Sequence, residues 1–457
     1  MDPQLLFSIL VGKSAKQLIK LKGGGATAAP GLYSLYLDKN ALLKLSKGLE
    51  RTILVSGTNG KTTTARLIGN LLEKEGIGYI HNRHGSNLER GLVSTQLQNV
   101  NLVGNLKYKT ALFEVDEAVL SNVIPKLKPS VIVLTNLFRD QLDRYGEIDN
   151  IKRLWEKAFG GLDSETTLVL NADDPAIAHL GENTSCKVIY FGINDPSVRL
   201  LETPKAMDSD TCPKCQTKLE YKHFYSSHQG DYSCPKCAFC RPKPNIEANN
   251  IEILEKVTNF ELKGSEKKTI TLKSNLAGIY NIYNSLAAYA TLESLNLGLD
   301  KFPEVISEFS SVFGRGERFK IDNKHILVAL AKNPTGFNEI IRTFLKEGNQ
   351  TILISINDKI ADGRDVSWLW DVNFEDLTGK NNNLLVSGLR ATDMGLRLKY
   401  AGIADFQTFD STFEALETGL KQTKETETFT VVPTYTALLE IKKLFAKKKI
   451  GGEFWED

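Results

Sequence analysis

The chain lacks long hydrophobic runs. None of its 457 residues lie in a stretch of the ~18 apolar positions that a membrane-spanning helix needs. The run Leu5 to Val11 is broken by Ser8. It has no basic stretch before it and no small-residue cleavage site after it, so it does not read as a signal peptide. Charge of one sign is also missing. With 57 Lys and Arg against 55 Asp and Glu, the net charge is +2, which gives no electrostatic case for nucleic acid as a partner. Cysteine is scarce: there are six, and five of them fall between Cys212 and Cys240. That excludes a disulfide scaffold and reads as metal binding in a reducing compartment, so a cytoplasmic location is expected. There is no internal repeat and no low-complexity tract. A composition of 41% hydrophobic and 25% charged residues is that of an ordinary soluble globular chain, and its length fits two or three domains.

Residues 3–22 pattern as a helix, with Leu5, Leu6, Ile9, Leu10, Leu18 and Ile19 apolar and Lys13, Lys16, Lys20 and Lys22 basic. Such a helix packs on a following domain; the second reading lays it on a membrane surface. Gly23-Gly24-Gly25 ends it as a flexible break. From Thr52 onward, β-rich runs alternate with helical stretches. Strands are expected at 53–55, 111–115, 131–135, 167–170 and 187–191, with helices at 62–75 and 278–297. This alternation predicts an α/β domain with a parallel sheet. Residues 205–245 break the rhythm and read as a small insertion. A second α/β section begins near Lys324, with strands expected at 326–330, 351–356, 383–387 and 428–432. The expected organisation is a helical leader (1–50), a central domain (51–320) carrying the insertion, and a C-terminal Rossmann-like domain (321–457), divided near 318–325.

The strongest chemical signal is Ser56-Gly57-Thr58-Asn59-Gly60-Lys61-Thr62-Thr63-Thr64, which follows a strand and opens a helix as a phosphate loop must. Gly57 and Gly60 let backbone N–H groups approach an anion, and the helix N-terminus favours phosphate there. Lys61 can reach the β- and γ-phosphates, and the Thr62 hydroxyl can ligate Mg²⁺. Val55 stands where the general loop has its first Gly, so this is a shorter variant.

These residues resemble the ATP loop of the Mur ligases and folylpolyglutamate synthases. The resemblance continues through Glu114 in Phe113-Glu114-Val115-Asp116-Glu117, similar to a strand-end Mg²⁺ carboxylate, and through Asn136 in the segment Thr135 to Arg144. Leu170-Asn171-Ala172-Asp173-Asp174-Pro175 resembles the adenosine-contacting loop, with Asn171 and Asp173 offering partners for adenine and ribose. Gly278 to Asn284 resembles the helix start that carries Asn281 and Asn284, and Gly314-Arg315 resembles the arginine that closes over the nucleotide. ATP and Mg²⁺ are the implied cofactors, held by Gly57, Thr58, Asn59, Gly60, Lys61, Thr62 and Thr63 together with the residues just named. Gln141 stands where those ligases place a metal-binding His, and Lys152 and Lys157 are not aligned for a carbamylated lysine, which weakens the case for a second metal. About 50 residues precede the loop, too few for the domain that holds a UDP-sugar in the Mur ligases.

Cys212-Pro-Lys-Cys215 and Cys234-Pro-Lys-Cys237 form a C-x2-C-x18-C-x2-C pattern, a strong zinc-ribbon signal with four thiolates closing a structural Zn²⁺ shell. Cys240 competes with Cys237 for the fourth place. A zinc ribbon inserted in a Mur-like ATPase narrows the resemblance to the MurT family, the synthetase half of lipid II isoglutaminyl synthases. Segments 331–336, 357–368, 397–402 and 433–438 look like signatures of that family. The fold class implied is α/β: a Mur-ligase-type central P-loop ATPase domain with a parallel sheet and an inserted four-cysteine zinc ribbon, plus a C-terminal Rossmann-like domain.

That resemblance implies a glutamine-hydrolysing carbon–nitrogen ligase of peptidoglycan synthesis. ATP would phosphorylate the α-carboxylate of D-glutamate in the lipid II stem peptide, and ammonia would displace phosphate to give D-isoglutamine. Cys186 and Cys240 lie in no nucleophile context, so a GatD-type class I glutaminase is the implied partner, in a heterodimer, with lipid II met at the inner face of the plasma membrane. Lys61, Glu114, Lys332 and Asp365 are the implied catalytic residues. Lys332 would neutralise the transferring phosphoryl group. Asp365, in Asp362-Gly363-Arg364-Asp365, would either handle ammonium or complete the partner's Cys–His pair; a loop ion pair is the bland alternative. The competing functions are a folylpolyglutamate-synthase-like amino-acid ligase and a non-catalytic nucleotide-binding regulatory subunit.

Overall fold

The computed structural model describes residues 2–21, 28–83, 86–139, 148–205, 207–254, 256–310, 315–321 and 323–447. Three helices come first: α1 (Pro3–Leu21), α2 (Ala29–Leu37) and α3 (Ala41–Ser46). Then follow β1 (Arg51–Ser56), α4 (Lys61–Lys74), β2 (Tyr79–His81), α5 (Glu89–Gln98), β3 (Thr110–Glu114), α6 (Leu120–Leu127), β4 (Val131–Leu134), α7 (Ile148–Phe159), β5 (Thr167–Asn171), α8 (Pro175–His179) and β6 (Lys187–Ile193). A hairpin of β7 (Glu220–Ser226) and β8 (Gln229–Ser233) interrupts the sheet. The sheet resumes with β9 (Ile246–Ile253), β10 (Thr258–Lys263) and β11 (Thr269–Ser274), followed by α9 (Ile279–Ser294) and α10 (Phe302–Glu308).

These strands make one sheet in the order β11-β10-β9-β6-β5-β4-β1-β3-β2. The strands from β2 to β9 in that order run parallel, and β10 pairs antiparallel with both β9 and β11. The purely parallel sheet expected from the alternation thus gains an antiparallel edge. Its strands carry Glu, Asn, Thr and Lys on the open face and gave no continuous apolar run to read. The central strands β1, β3, β4 and β5 are apolar along nearly their whole length because both faces are covered. Ile53, Val55 and Val133 pack against α4 and α9 on one face, while Leu54, Phe113 and Ile132 pack against α3, α5, α6 and α7 on the other. β1 lies between β4 and β3, so the turn after it opens where the strand order reverses, the usual place for a ligand crevice. Among the described residues no helix is long and apolar enough to cross a membrane.

The second sheet contains β12 (Arg315–Ile321), β13 (Lys324–Ala329), β14 (Thr351–Ser355), β15 (Asn383–Ser387), β16 (Gln407–Thr408) and β17 (Thr428–Pro433). Their order is β12-β13-β17-β14-β15-β16. It is flanked by α11 (Pro334–Phe344), α12 (Ala391–Tyr400), α13 (Thr412–Gln422) and α14 (Tyr435–Lys447). β12 pairs antiparallel with β13, so the second sheet takes in residues from Arg315 onward.

Candidate nucleotide and zinc sites

The phosphate loop joins β1 to α4. Gly57 has φ +125° and Gly60 φ +86°, the left-handed region that glycine tolerates. Neighbours also require these glycines: a Cβ on Gly60 would lie 2.1 Å from Asn284 Oδ1, and one on Gly57 2.4 Å from Thr135 Oγ1. Gly60 caps α4 without a side-chain hydrogen bond, which leaves the first-turn N–H groups and the positive end of the helix dipole directed at the loop mouth. The loop is braced from β4. Asn136 accepts from the Asn59 N–H at 2.8 Å and donates to the Asn59 carbonyl at 3.0 Å. The Thr58 hydroxyl accepts from the Phe138 N–H at 2.9 Å. Asn136, expected to touch the nucleotide, therefore holds the loop's shape while also lining the cleft.

Thr62 Oγ1 donates to Glu114 Oε1 at 3.1 Å. Glu114 is itself fixed by Asn82, whose side chain bonds the Glu114 N–H at 2.9 Å and carbonyl at 2.8 Å. Two hard oxygens at the strand end, beside the loop, are the donor set Mg²⁺ takes when phosphate oxygens and water complete its shell. Lys61 is nearly buried, and its Nζ donates to Glu117 Oε2 at 2.9 Å, to the Thr58 carbonyl at 3.1 Å and to the Gly57 carbonyl. Burial disfavours the ammonium, but the charges of Glu117 and Glu114 and the Glu117 bond outweigh it and raise the Lys61 pKa. Glu117 was not anticipated. Its backbone carbonyl accepts from the Trp155 indole N–H at 2.9 Å, so the fully buried Trp155 anchors the lysine's partner.

The loop opens into a cleft with about 930 Å³ of empty space between its walls, lined by Thr58, Asn59, Thr63, Asn284, Lys332 and Glu339 among others. Asn284 accepts from the Thr64 hydroxyl at 3.3 Å and lines the cleft, whereas Asn281 donates to the Ala277 carbonyl at 2.8 Å and accepts from Asn284. Asn281 thus supports Asn284 from its own helix turn. The pair expected at adenosine is enclosed by the fold. Asn171 and Asp173 are both 0% exposed. Asn171 donates to the Thr135 carbonyl at 2.9 Å and accepts from the Asp173 N–H at 3.0 Å. Asp173 accepts from Arg241 at 2.6 Å, the Tyr283 hydroxyl at 2.7 Å and the Ile193 N–H at 2.8 Å. Burial pushes its carboxyl up while those three donors pull against it. Both side chains are turned inward and knit β5 to β6 and α9. The motif was legible, but not the direction in which its side chains point.

The wall facing the loop comes from two places the sequence did not connect. Ser226 and Gln229, at the tip of the β7–β8 hairpin, line the cleft, as do Glu339 and Ile340 on α11. Ser226 donates to Glu339 at 2.9 Å, and Arg342 donates to the carbonyls of Tyr225 and Val198, each at 2.7 Å. Asn333 caps α11, accepting from the Gly336 N–H at 2.8 Å, and meets the side chain of Asn59 at 3.2 Å. The two halves therefore touch at the phosphate loop itself.

At the base of the hairpin the Sγ atoms of Cys212, Cys215, Cys234 and Cys237 all lie within 4.8 Å of one another. Cys212–Cys237 is 3.6 Å, Cys215–Cys234 3.5 Å and Cys215–Cys237 3.8 Å. A tetrahedral Zn²⁺ with bonds of ~2.3 Å has ligand edges of ~3.8 Å, so the four thiols fit that ion. Cys240 is exposed and outside the group, which brings Cys237 together with the other three cysteines.

Comparison with known proteins places the chain. Residues 55–292 match the Mur ligase middle domain and residues 330–438 the MurT ligase C-terminal domain. The chain is 32% identical to the lipid II isoglutaminyl synthase (glutamine-hydrolyzing) subunit MurT of Staphylococcus aureus strain N315, over 98% of this chain and 99% of that one. The chain belongs to the MurT family of ligases. The subunit named MurT in Streptococcus pneumoniae strain R6 is 31% identical over 98% and 99%. The fold is shared with a pseudomurein peptide ligase type C from Methanothermus fervidus, at TM-score 0.71 and 23% identity, covering 90% of this chain and 81% of that one. It is shared also with the MurF ligase from Thermotoga maritima in complex with ADP, at TM-score 0.65 and 14% identity, covering 91% and 85%.

The MurT-like segments of the second half come together in space. Asp362 accepts from the Thr436 N–H at 2.7 Å, which joins the 357–368 loop to the 433–438 segment. The buried Arg397 donates to the Leu369 and Val372 carbonyls at 3.2 and 2.7 Å and pairs with Glu375. On this loop Asp365 is exposed and accepts from the Ser367 N–H at 2.8 Å, bonds that hold its carboxyl below the usual range. It does not line the phosphate-loop cleft, unlike Lys332. Arg315 opens β12 opposite Ala329. Gln141 lies outside the described residues.

Proposed function

We propose that the chain is the synthetase subunit of a lipid II isoglutaminyl synthase, amidating the α-carboxylate of D-glutamate in the stem peptide with ATP and with ammonia from a GatD-type glutaminase. The observation that carries this reading is the near-full-length identity to subunits named MurT, joined to an intact phosphate loop. The substrate carboxylate oxygen attacks the γ-phosphorus and ADP departs. Ammonia then attacks the acyl carbon, phosphate leaves with its bonding electrons, and the nitrogen gives up a proton. Positioning and charge neutralisation drive both steps. Mg²⁺, when bound by Thr62 and Glu114, supplies charge neutralisation at the phosphates. Lys61 exchanges Glu117 for phosphate oxygens, and Lys332 meets the transferring phosphoryl group. Lys332 lies in the short connection between β13 and α11 and lines the cleft. We read the domains as a helical leader, a Mur-like ATPase domain with its ribbon, and a C-terminal domain from Arg315, working at the inner face of the plasma membrane.

Mass spectrometry tests the reading directly. The chain, ATP, Mg²⁺, ammonium chloride and a lipid II analogue should yield the mass decrease of a carboxylate-to-amide exchange. Addition of an amino-acid mass would indicate a folylpolyglutamate-synthase-like ligase, and no product would indicate a regulatory subunit. Asp365 belongs to glutamine use: ionised, exposed and set in a segment that also exposes Ile360 and Trp370, it suits a protein interface. Asp365→Asn should reduce glutamine-dependent amidation by the complex at least tenfold while the chain stays folded and binds ATP; full activity would remove Asp365 from the site.

A further inference from the structure

Asn171 and Asp173, expected to meet adenine and ribose, make their hydrogen bonds inside the fold. The cleft walls instead carry two polar atoms without a partner among the described residues, Gln229 Nε2 and Glu339 Oε2. Gln229 is 2% exposed and Glu339 7%. A buried donor or acceptor left unmade is costly, and a bound ligand is one way to satisfy these two. They are also neighbours. Ser226 and Gln229 are paired directly across the hairpin, which sends both side chains to one face, and Ser226 donates its hydroxyl to Glu339 Oε1. That bond occupies one carboxylate oxygen. One acceptor, Oε2, and one donor, Nε2, are thus held by residues linked through Ser226 on the same wall. Tyr280, Tyr283, Leu330 and Ile340 supply flat and apolar walls, the lining an aromatic ring prefers.

We propose that Glu339 and Gln229 are the base-reading pair of this cleft and select adenine. Glu339 Oε2 accepts from the exocyclic amino group and Gln229 Nε2 donates to the adjoining ring nitrogen. The proposal rests on the cleft being the ATP site and adds which side chains choose the base. Adenine offers one donor next to one acceptor on that edge. Hypoxanthine and guanine offer a carbonyl oxygen and an N–H in the same places. Their carbonyl would face a carboxylate and their N–H an amide N–H, and a site built around specific hydrogen bonds rejects an analogue that leaves them unpaired. The work is thereby divided: the loop motif grips phosphates, and the zinc-ribbon hairpin together with α11 reads the base.

Isothermal titration of the full chain with ATP and with ITP, in Mg²⁺, tests this. The parent should bind ATP at least 100-fold more tightly than ITP. In Glu339→Gln the amide oxygen turns to the Ser226 hydroxyl and its NH2 faces the base, which suits a carbonyl. The ATP-to-ITP ratio should then fall at least tenfold, with ITP binding gained. Gln229→Leu should weaken ATP about tenfold and leave ITP within threefold. If Glu339→Gln loses its zinc or its thermal transition, Gln229→Leu decides alone. A parent that binds ATP no better than ITP, or variants that keep the parental ratio, would overturn the assignment while leaving nucleotide binding in the cleft intact. A parent that binds neither nucleotide would overturn both.

Discussion

Lys61 carries its charge inside the protein because three acidic neighbours are gathered around it, and only Glu117 touches it directly at 2.9 Å. Truncating one partner of a buried ion pair costs about 3–5 kcal/mol, since the other charge is left unpaired. Glu117→Ala should therefore lower the urea-derived stability by about 3 kcal/mol at neutral pH. The sign of its pH dependence is set by the raised Lys61 pKa. The stabilisation is complete below the ordinary lysine value of 10.5 and is lost as pH rises through the folded value. Parent and variant should differ by a constant amount from pH 7 to 9 and converge in stronger alkali; equal stability at pH 7 would mark the pair as inert. Lys61→Ala has a different outcome. Amidation should disappear while one zinc per chain is retained, because the loop and the ribbon are separate sites; retained turnover would reject the loop's role. The loop glycines, Lys61 and Thr62 were legible in the sequence because a strand–loop–helix junction constrains backbone and side chain together. Glu117 was not, because its role depends on the Trp155 anchor 38 residues further along the chain.

The β7–β8 hairpin is the element with the widest reach. One end is closed by four thiols, and the other supplies Ser226 and Gln229 to the cleft. His228 at the turn is fully buried, 3.3 Å from Asp174 and in ring contact with Phe138 at 4.8 Å. Asp174 is held below the usual carboxylate range: burial opposes this, but His228 and the Leu137 and Ile177 N–H groups prevail. Zinc content separates the cysteines. Cys237→Ser should lose the metal and lower the melting temperature, whereas Cys240→Ser should keep one zinc per chain by elemental analysis. The reverse pattern would assign the fourth ligand to Cys240. Spacing alone revealed the ribbon, since thiol pairs two residues apart have few other uses. It could not reveal that the ribbon's far end forms a wall of the nucleotide cleft.

At the scale of the whole molecule, the two sheets are joined around the cleft by polar contacts. Arg342 reaches back from α11 to the Tyr225 and Val198 carbonyls, Asn333 meets Asn59, and Arg139 lies between Asp208 and Asp371. Such a polar interface permits relative domain motion. Arg342→Ala should weaken ATP binding about tenfold and enlarge the radius of gyration measured by X-ray scattering with ATP present. Unchanged affinity and size would show that Arg342 does not hold the halves together.

The alternation of apolar runs was enough to locate the central strands of both sheets, because strands covered on two faces can hardly be written otherwise, whereas the edge strands β2, β11, β12 and β16, together with β9 and β10, carried no such run. Short-range patterns were likewise enough for the phosphate loop and the thiol pairs, whose chemistry is local. Side-chain direction was not. Asn171, Asp173 and Asn281 sit in recognisable motifs yet bond inward, while Glu117, Gln229 and Glu339 reach the site from distant segments. Burial and hydrogen-bond partners are assigned only when separate elements pack together, and those long-range contacts leave no periodicity in the chain.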